Sequence, residues 1–400
     1  MTFQGKPRAV VTDARLRIAV TIARSLGRAG VNVIAAEAAD TARPLAFHSK
    51  FVGSGLILTK DTKTVPSDRD LEALLEAAGH DGVLVPVFTP WVVKMSADAD
   101  KISGRANTLV PPMESLREAH DKTRCTKLAQ NLGVPIPRTS VPTEDGVDVA
   151  DASSMLHWAR NLPYPVILKY RSGEDVGLPA SLRYRVCRNP EETVAAYGQM
   201  AIVQSAPLAQ EYVVGDDCGA ALLYDGESRP VASFTYRSIR ERPKGAGPTV
   251  YAVSEDYPEM LDYSHRILSA LKWRGMAMLD FKRGADGTFR FLEVNPRFWG
   301  SLALSVEAGV DFPLLYFRSC LGEKIEPVRQ RNGVKVRFFP GDFLSLLEYA
   351  KVPGNGVRYV AKGVWDLLRS GSRDGLFTLS DPKPGLIHLA GGVFSRHARP

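Results

Sequence analysis

The chain has 400 residues, 24% of them charged and 44% apolar, the composition of a soluble globular protein with room for two or three packed domains. Its formal charge of +7 would suit an anionic small molecule, an anionic membrane or nucleic acid, but the basic residues are spread along the chain with no Lys/Arg block interleaved with aromatics, which argues against nucleic acid. The longest mostly apolar run, Val83 to Val93, is broken by prolines and is too short to span a bilayer. The start carries no secretory or transit pattern, and Cys125, Cys187, Cys218 and Cys320 are too scattered for a zinc or redox motif, so the expectation is reduced thiols in a cytoplasmic protein.

In chain order, the first segment alternates strands and helices. Ala9 to Thr12 reads as a strand, Leu16 to Ala29 as a helix closed by Gly30, and Val31 to Ala36 as a second strand. Leu71 to Ala78 follows as a helix and Gly82 to Val87 as a third strand, which makes a small doubly wound α/β unit. Its first strand-to-helix turn, Thr12-Asp13-Ala14-Arg15, lacks the glycines that let a backbone approach a pyrophosphate, so this Rossmann-like unit is not expected to bind NAD. Asp13 and Arg15 either touch a polar substrate or cap the helix.

Pro111-Pro112 closes this unit. Glu114 to Leu132 reads as one helix or two short ones, stopped by Gly133-Val134-Pro135. From Tyr164 onward strands dominate: Val166 to Tyr170, Leu208 to Val214, Ala220 to Tyr224, Val231 to Tyr236, Gly275 to Lys282 and Thr288 to Val294. Helices are expected around Pro190 to Met200 and Tyr257 to Leu271. Beyond Val328 come a strand, Val334 to Phe338, and amphipathic helices around Phe343 to Ala350 and Val360 to Leu368. Those helices would pack on the preceding core, form a homodimer contact or lie on a membrane surface.

The most informative stretch is GMAMLDFKRGADGTFRFLEVNPRFWG, Gly275 to Gly300. Asp286-Gly287 is a strong hairpin turn, with Asp280 on the outgoing strand and Glu293 and Asn295 on the return. Glu293 and Asn295 are two apart and share a face that Asp280 can reach. Two carboxylates and an amide oxygen form a hard oxygen site suited to Mg2+, with Mn2+ as an alternative, once phosphate oxygens complete the shell. Arg297 follows, placed to hold a phosphate or a carboxylate. The flanking Leu279, Phe281, Phe291, Leu292 and Val294 favour a buried, partnered pair of acids over an exposed polar hairpin.

An acid on one strand followed by E-x-N-x-R on the next resembles the metal-binding hairpin of the ATP-grasp superfamily, most closely its carboxylate–amine ligase type. The resemblance covers Pro111 to Phe317 and, more loosely, the N-terminal unit. It implies an α/β chain in which a Rossmann-like N-terminal unit (1–113) precedes a two-lobed ATP-grasp fold of α+β type (114–326). The ATP lid would span about 138–213, and a small C-terminal extension would follow (327–400). It also implies site roles. Lys122 and Lys169 would contact ATP phosphates, and the loop after Lys169, through Gly177, would cover them. Gln210, Glu211 and the Val213 amide would meet the adenine, and Asp217 the ribose hydroxyls. Arg237 and Arg240, from a basic cluster with Arg242 and Lys244, would face the γ-phosphate and the substrate carboxylate, with Arg297 beside the metal. Backbone amides near Ser301 could present a further anion site. The implied activity joins a carboxylate to an amine, an amino acid or a related molecule, through an acyl phosphate, releasing ADP and phosphate. A hydroxyl or thiol nucleophile, or an ATP-binding regulatory protein without catalysis, are the competing readings.

Overall fold

A computed structural model describes residues 7–60, 65–173, 176–178, 182–242, 247–350, 356–369 and 371–394. Lys244, and Glu174 and Asp175 of the loop after Lys169, lie outside these, as do the side chains of Leu367 and Leu368.

The first unit contains β1 (Arg8–Val11), α1 (Arg17–Arg28), β2 (Asn32–Ala38), β3 (Val52–Leu58), α2 (Asp68–Ala78), β4 (Val83–Val85), α3 (Thr89–Ala97) and α4 (Ala99–Ile102). Its strands form a parallel sheet in the order β3-β2-β1-β4. Helix α1 buries Ile18, Val20, Ile22 and Leu26, while Ser67 and Asp70 start α2 with a reciprocal capping box. Strand β3 has no clear sequence signal because Gly53 and Gly55 interrupt its apolar residues. An added Cβ at Gly55 would meet the Phe47 ring at 3.0 Å.

Of the two readings for Glu114 to Leu132, one helix or two, the structure has two, α5 (Met113–His120) and α6 (Lys122–Asn131), split where Asp121 caps α6 by accepting from the Thr123 and Arg124 amides. A second sheet, in the order β5-β8-β6-β7, uses β5 (Thr139–Ser140), β6 (Val166–Lys169), β7 (Tyr184–Cys187) and β8 (Leu208–Glu211). Helices α7 (Ala152–Arg160) and α8 (Pro190–Val203) give it a separate core around Trp158, Leu168, Tyr197 and Met200.

The largest sheet has seven strands in the order β13-β12-β9-β10-β11-β14-β15. Its members are β9 (Gly215–Tyr224), β10 (Pro230–Glu241), β11 (Thr249–Ser254), β12 (Gly275–Gly284), β13 (Phe289–Asn295), β14 (Lys335–Arg337) and β15 (Arg373–Asp374). Strict alternation separates its faces. Cys218, Ala220, Leu222 and Tyr224 of β9 pack with α9 (Pro258–Ala270), whereas Ala221 and Leu223 pack in the core shared with α1. Helices α10 (Leu302–Glu307) and α11 (Phe312–Cys320) complete that shared core through Trp299, Leu304 and Phe312. The first unit and the large sheet therefore hold one continuous interior.

The residues after 326 are built into this sheet rather than appended to it. Strand β14 pairs with β11, and β15 with β14. Helices α12 (Gly341–Ala350), α13 (Gly356–Arg369) and α14 (Lys383–Phe394) follow the same route. Asp342 at the start of α12 is buried and accepts hydrogen bonds from Arg240 (2.6 and 3.0 Å) and Arg337 (3.1 Å). Asp381 accepts from Arg24 of α1 at 2.9 Å. Among the described residues no helix is long and apolar enough to cross a membrane.

Removing one member of a buried ion network leaves uncompensated charge. Asp342→Ala should therefore cost about 3–5 kcal/mol, read as a lower urea midpoint at unchanged m-value. A loss below about 1 kcal/mol, the range of exposed pairs, would show that the network does not hold the extension.

Candidate active site

Strands β12 and β13 set Asp280 directly across from Glu293, with a register shift just after Asp280. Asn295 lies two residues beyond Glu293 on the same face and donates from Nδ2 to Asp280 Oδ2 at 2.8 Å. Arg297 Nη2 donates to Asn295 Oδ1 at 3.3 Å, and its guanidinium lies 4.8 Å from the centre of the Phe88 ring, where the first unit meets the large sheet. Burial, reinforced by the Glu293 charge, pushes the Asp280 carboxyl up. Burial would also raise Glu293, but the ammonium of Lys122, with Lys169 and Arg297 behind it, outweighs that and holds the carboxyl low.

Cations face this pair. Lys122 begins α6 and places Nζ 2.6 Å from Glu293 Oε2. The helix start is itself tied to the smaller sheet's side of the cleft. Arg171 donates to Asp121 at 2.6 Å, and the Lys122 amide donates to the Arg171 carbonyl at 2.9 Å. Lys169 ends β6 and donates to Gln210 Oε1 at 2.8 Å, and Gln210 donates onward to Thr139 at 3.0 Å. Burial lowers the Lys169 ammonium to about 8. Val213 is half-buried in the connection between β8 and β9. Asp217, on β9, accepts from Lys282 Nζ at 2.7 Å.

Two adjacent carboxylates and an amide oxygen, one carboxyl unfavourable as an anion until it gains a cation, are a fitting partial shell for a magnesium ion, which takes its remaining ligands from water and phosphate. Among the described residues no group of three or more His, Cys, Asp and Glu is placed to hold a metal.

The family model described as "ATP-grasp in the biosynthetic pathway with Ter operon" matches residues 235–340, which include Asp280, Glu293, Asn295 and Arg297. D-alanine–D-alanine ligase of Pseudomonas putida (strain GB-1) is 27% identical over 185 residues, 44% of this chain and 54% of that enzyme. The same ligase of Halorhodospira halophila is 30% identical over 189 residues, 44% of this chain and 55% of the relative. The chain thus spans about half the length of the curated relatives it matches. Among solved structures, the biotin carboxylase domain of Hydrogenobacter thermophilus 2-oxoglutarate carboxylase, in complex with MgADP, ADP and bicarbonate, superposes with a TM-score of 0.64 at 17% identity, covering 83% of this chain and 74% of that one. The L-amino acid ligase of Bacillus licheniformis gives 0.55 at 15%, covering 81% and 76%. The chain has the ATP-grasp fold.

Within this fold three expected site residues have protein partners of their own. Arg237 pairs in register with Cys218, so alternation puts it on the α9 face, opposite Asp280, where it is held by Glu255 at 2.8 and 3.0 Å. Arg240 is buried against Asp342 and the Tyr251 ring. Both guanidinium groups are thus held by acids rather than turned toward Asp280. Basic clustering in sequence could not show that each arginine has an acid waiting from a distant segment. Glu211 alternates with Gln210 and lies beside the Arg138 amide (3.3 Å), leaving the inward side-chain contact to Gln210 alone.

Two neighbours of the ATP-grasp cleft escaped the sequence reading. Lys282 is two residues past Asp280 on the same face, a signal that was present but unused. Glu241 ends β10, and burial together with the nearby Asp217 pushes its carboxyl up. Tyr236 lies over Gly219, where an added Cβ would sit 2.4 Å from the ring, so glycine is what lets the phenol approach Asp280's row.

The Lys169 ammonium is less favourable folded than unfolded, so its charge costs stability fully below pH 8, and the cost fades as pH rises towards 10.4. Lys169→Met should raise the thermal midpoint at pH 7, with the gap to wild type closing by about pH 10.4. A pH-independent gap would contradict this.

Proposed function

We propose that this chain is an ATP-dependent, magnesium-requiring ligase joining a carboxylate to an amine, with an amino acid or related molecule as substrate. The observation that carries this is the facing of Asp280, Glu293 and Asn295 by Lys122 at the start of α6 and by Lys169 and Gln210 of the smaller sheet. One side suits a metal and the other suits phosphates. The relatives' names, D-alanine–D-alanine ligase and L-amino acid ligase, support the same reaction class.

Asp280, Glu293 and Asn295 would hold Mg2+, which supplies charge neutralisation at the terminal phosphates. Lys169 and Lys122 would carry phosphate oxygens, Lys122 exchanging Glu293 for phosphate. Gln210, with the backbone around Val213, would read the base edge, and Asp217 would accept from the ribose. Arg297, braced on Asn295 and Phe88, would orient the carboxylate that receives the γ-phosphoryl group. Such transfer demands alignment and charge compensation more than covalent help. The amine would then attack the acyl phosphate, forming the amide and releasing phosphate. The cysteines Cys125, Cys218 and Cys320 are pushed up by burial, which makes them inert thiols and fits a reducing, cytoplasmic setting.

The test is phosphate release with ATP, Mg2+ and a panel of amino acids and small carboxylates. Glu293→Ala should lower kcat by about 100-fold or more, and EDTA should abolish turnover. Arg237→Ala, on the far face, should stay within about threefold, far below the loss of a transition-state contact. Equal turnover by Glu293→Ala and wild type would refute the metal assignment. Tight ATP binding with no release across the panel would refute the ligase.

A further inference from the structure

We propose that the outer face of α13, with the neighbouring part of α12, is a docking surface for an anionic lipid bilayer, on which the chain lies as a peripheral protein. None of its residues belongs to the site around Asp280, so the inference stands apart from the ligase reading.

Basic residues are spread along the chain, but acids are not. Residues 327–400 hold twelve Lys and Arg against five Asp and Glu, so the whole formal excess of +7 falls in this segment and residues 1–326 balance. All five acids are engaged. Asp342 accepts from Arg240 and Arg337, and Asp381 from Arg24. Asp374 accepts from the Phe339, Leu376 and Phe377 amides. Glu348 pairs with Arg242, and Asp366 lies 3.9 Å from Arg240. Arg24, Arg240 and Arg242 come from outside the segment, so its own cations are left in excess. Arg358 and Lys383 are exposed.

The same segment turns an apolar stripe outward. Gly363 of α13 is buried against α12, where an added Cβ would lie 2.3 Å from Leu346 Cδ2. Gly356, two turns earlier, is buried too. The helix packs through its glycines, and its opposite side presents Val357, Ala361, Val364 and Trp365, all exposed. At 3.6 residues per turn these four fall within about 100° of one another. Val357 is 86% exposed and Trp365 55%. On α12, Phe343 and Leu347, one turn apart, are exposed as well. Among the described residues, nine of the seventeen exposed large apolar side chains lie beyond residue 326, in less than a fifth of the chain. Such residues scattered singly need no partner, whereas a stripe at helical spacing marks an interaction face.

Charge and stripe together select the occupant. A second copy would bring the same positive segment against itself. A bilayer with acidic headgroups takes up the apolar side chains and attracts the basic segment at once. Tryptophan settles at headgroup depth because its indole is apolar in body and polar at one edge. The sequence of α13 adds Arg358, Lys362 and Arg369 against the one acid, Asp366. With 14 residues the helix is too short to cross a bilayer, so it lies in the plane of the surface.

The experiment is sedimentation of the full chain with vesicles of phosphatidylcholine, alone or mixed with phosphatidylglycerol, at about 0.1 M and about 0.5 M salt. The chain should partition onto the mixed vesicles about tenfold or more tightly than onto neutral ones, and lose most of that preference at the higher salt. Trp365→Ser and Arg358→Glu should each weaken partition by about fivefold or more, with the thermal midpoint unmoved because both positions are exposed. Trp91, Trp158, Trp273 and Trp299 are buried, so mixed vesicles with brominated acyl chains should quench Trp365 in the wild type. That signal decides the matter even where a variant does not fold. No partition onto mixed vesicles, equal partition onto both kinds, or partition without quenching overturns the proposal. A dimer in lipid-free solution that Trp365→Ser dissolves assigns the face to a second copy and overturns it as well.

Discussion

Two carboxylates held side by side in a buried sheet must be offset by positive charge, and the architecture around Asp280 and Glu293 follows from that constraint. Lys122 is brought to Glu293 by a helix that begins at Asp121, and that helix begins there because Asp121 satisfies its first amides. Lys169 is brought to the same field by a strand of a different sheet. The site is thus assembled from three separate parts of the chain, and each contributes one sign of charge. Lys122 pairs with Glu293, and Lys169 is held by Gln210.

The two-residue period of the large sheet decides which polar groups can join in. On β12 it sends Asp280 and Lys282 to the cleft and Leu279 and Phe281 to the α9 core. On β10 the same rule sends Tyr236 to the cleft and Arg237 away.

The sequence was most legible where chemistry and local pattern coincide. The hairpin from Gly275 to Asn295 could be read because its turn dipeptide and its alternation are local. The place of Lys169 at the end of a strand could be read because the apolar run before it is local. The parallel unit of the first hundred residues was legible from its periodicity, apart from β3, whose glycines serve tertiary packing against Phe47 and erase the apolar signal. Less legible were pairings set by distance along the chain. The partner of Arg240 is 102 residues away and that of Arg24 is 357 residues away, and neither acid stands out in its own neighbourhood. The role of the segment after residue 326 was hidden for the same reason, since its two short strands acquire meaning only beside β11.

Strand β14 has a consequence for the chain's behaviour in solution. It covers β11, whose residues are almost all buried. Stripped of β14, β11 would present a row of hydrogen-bonding groups along an apolar strand, the surface on which one chain adds to another. The segment beyond the β12–β13 hairpin thus keeps the sheet finite.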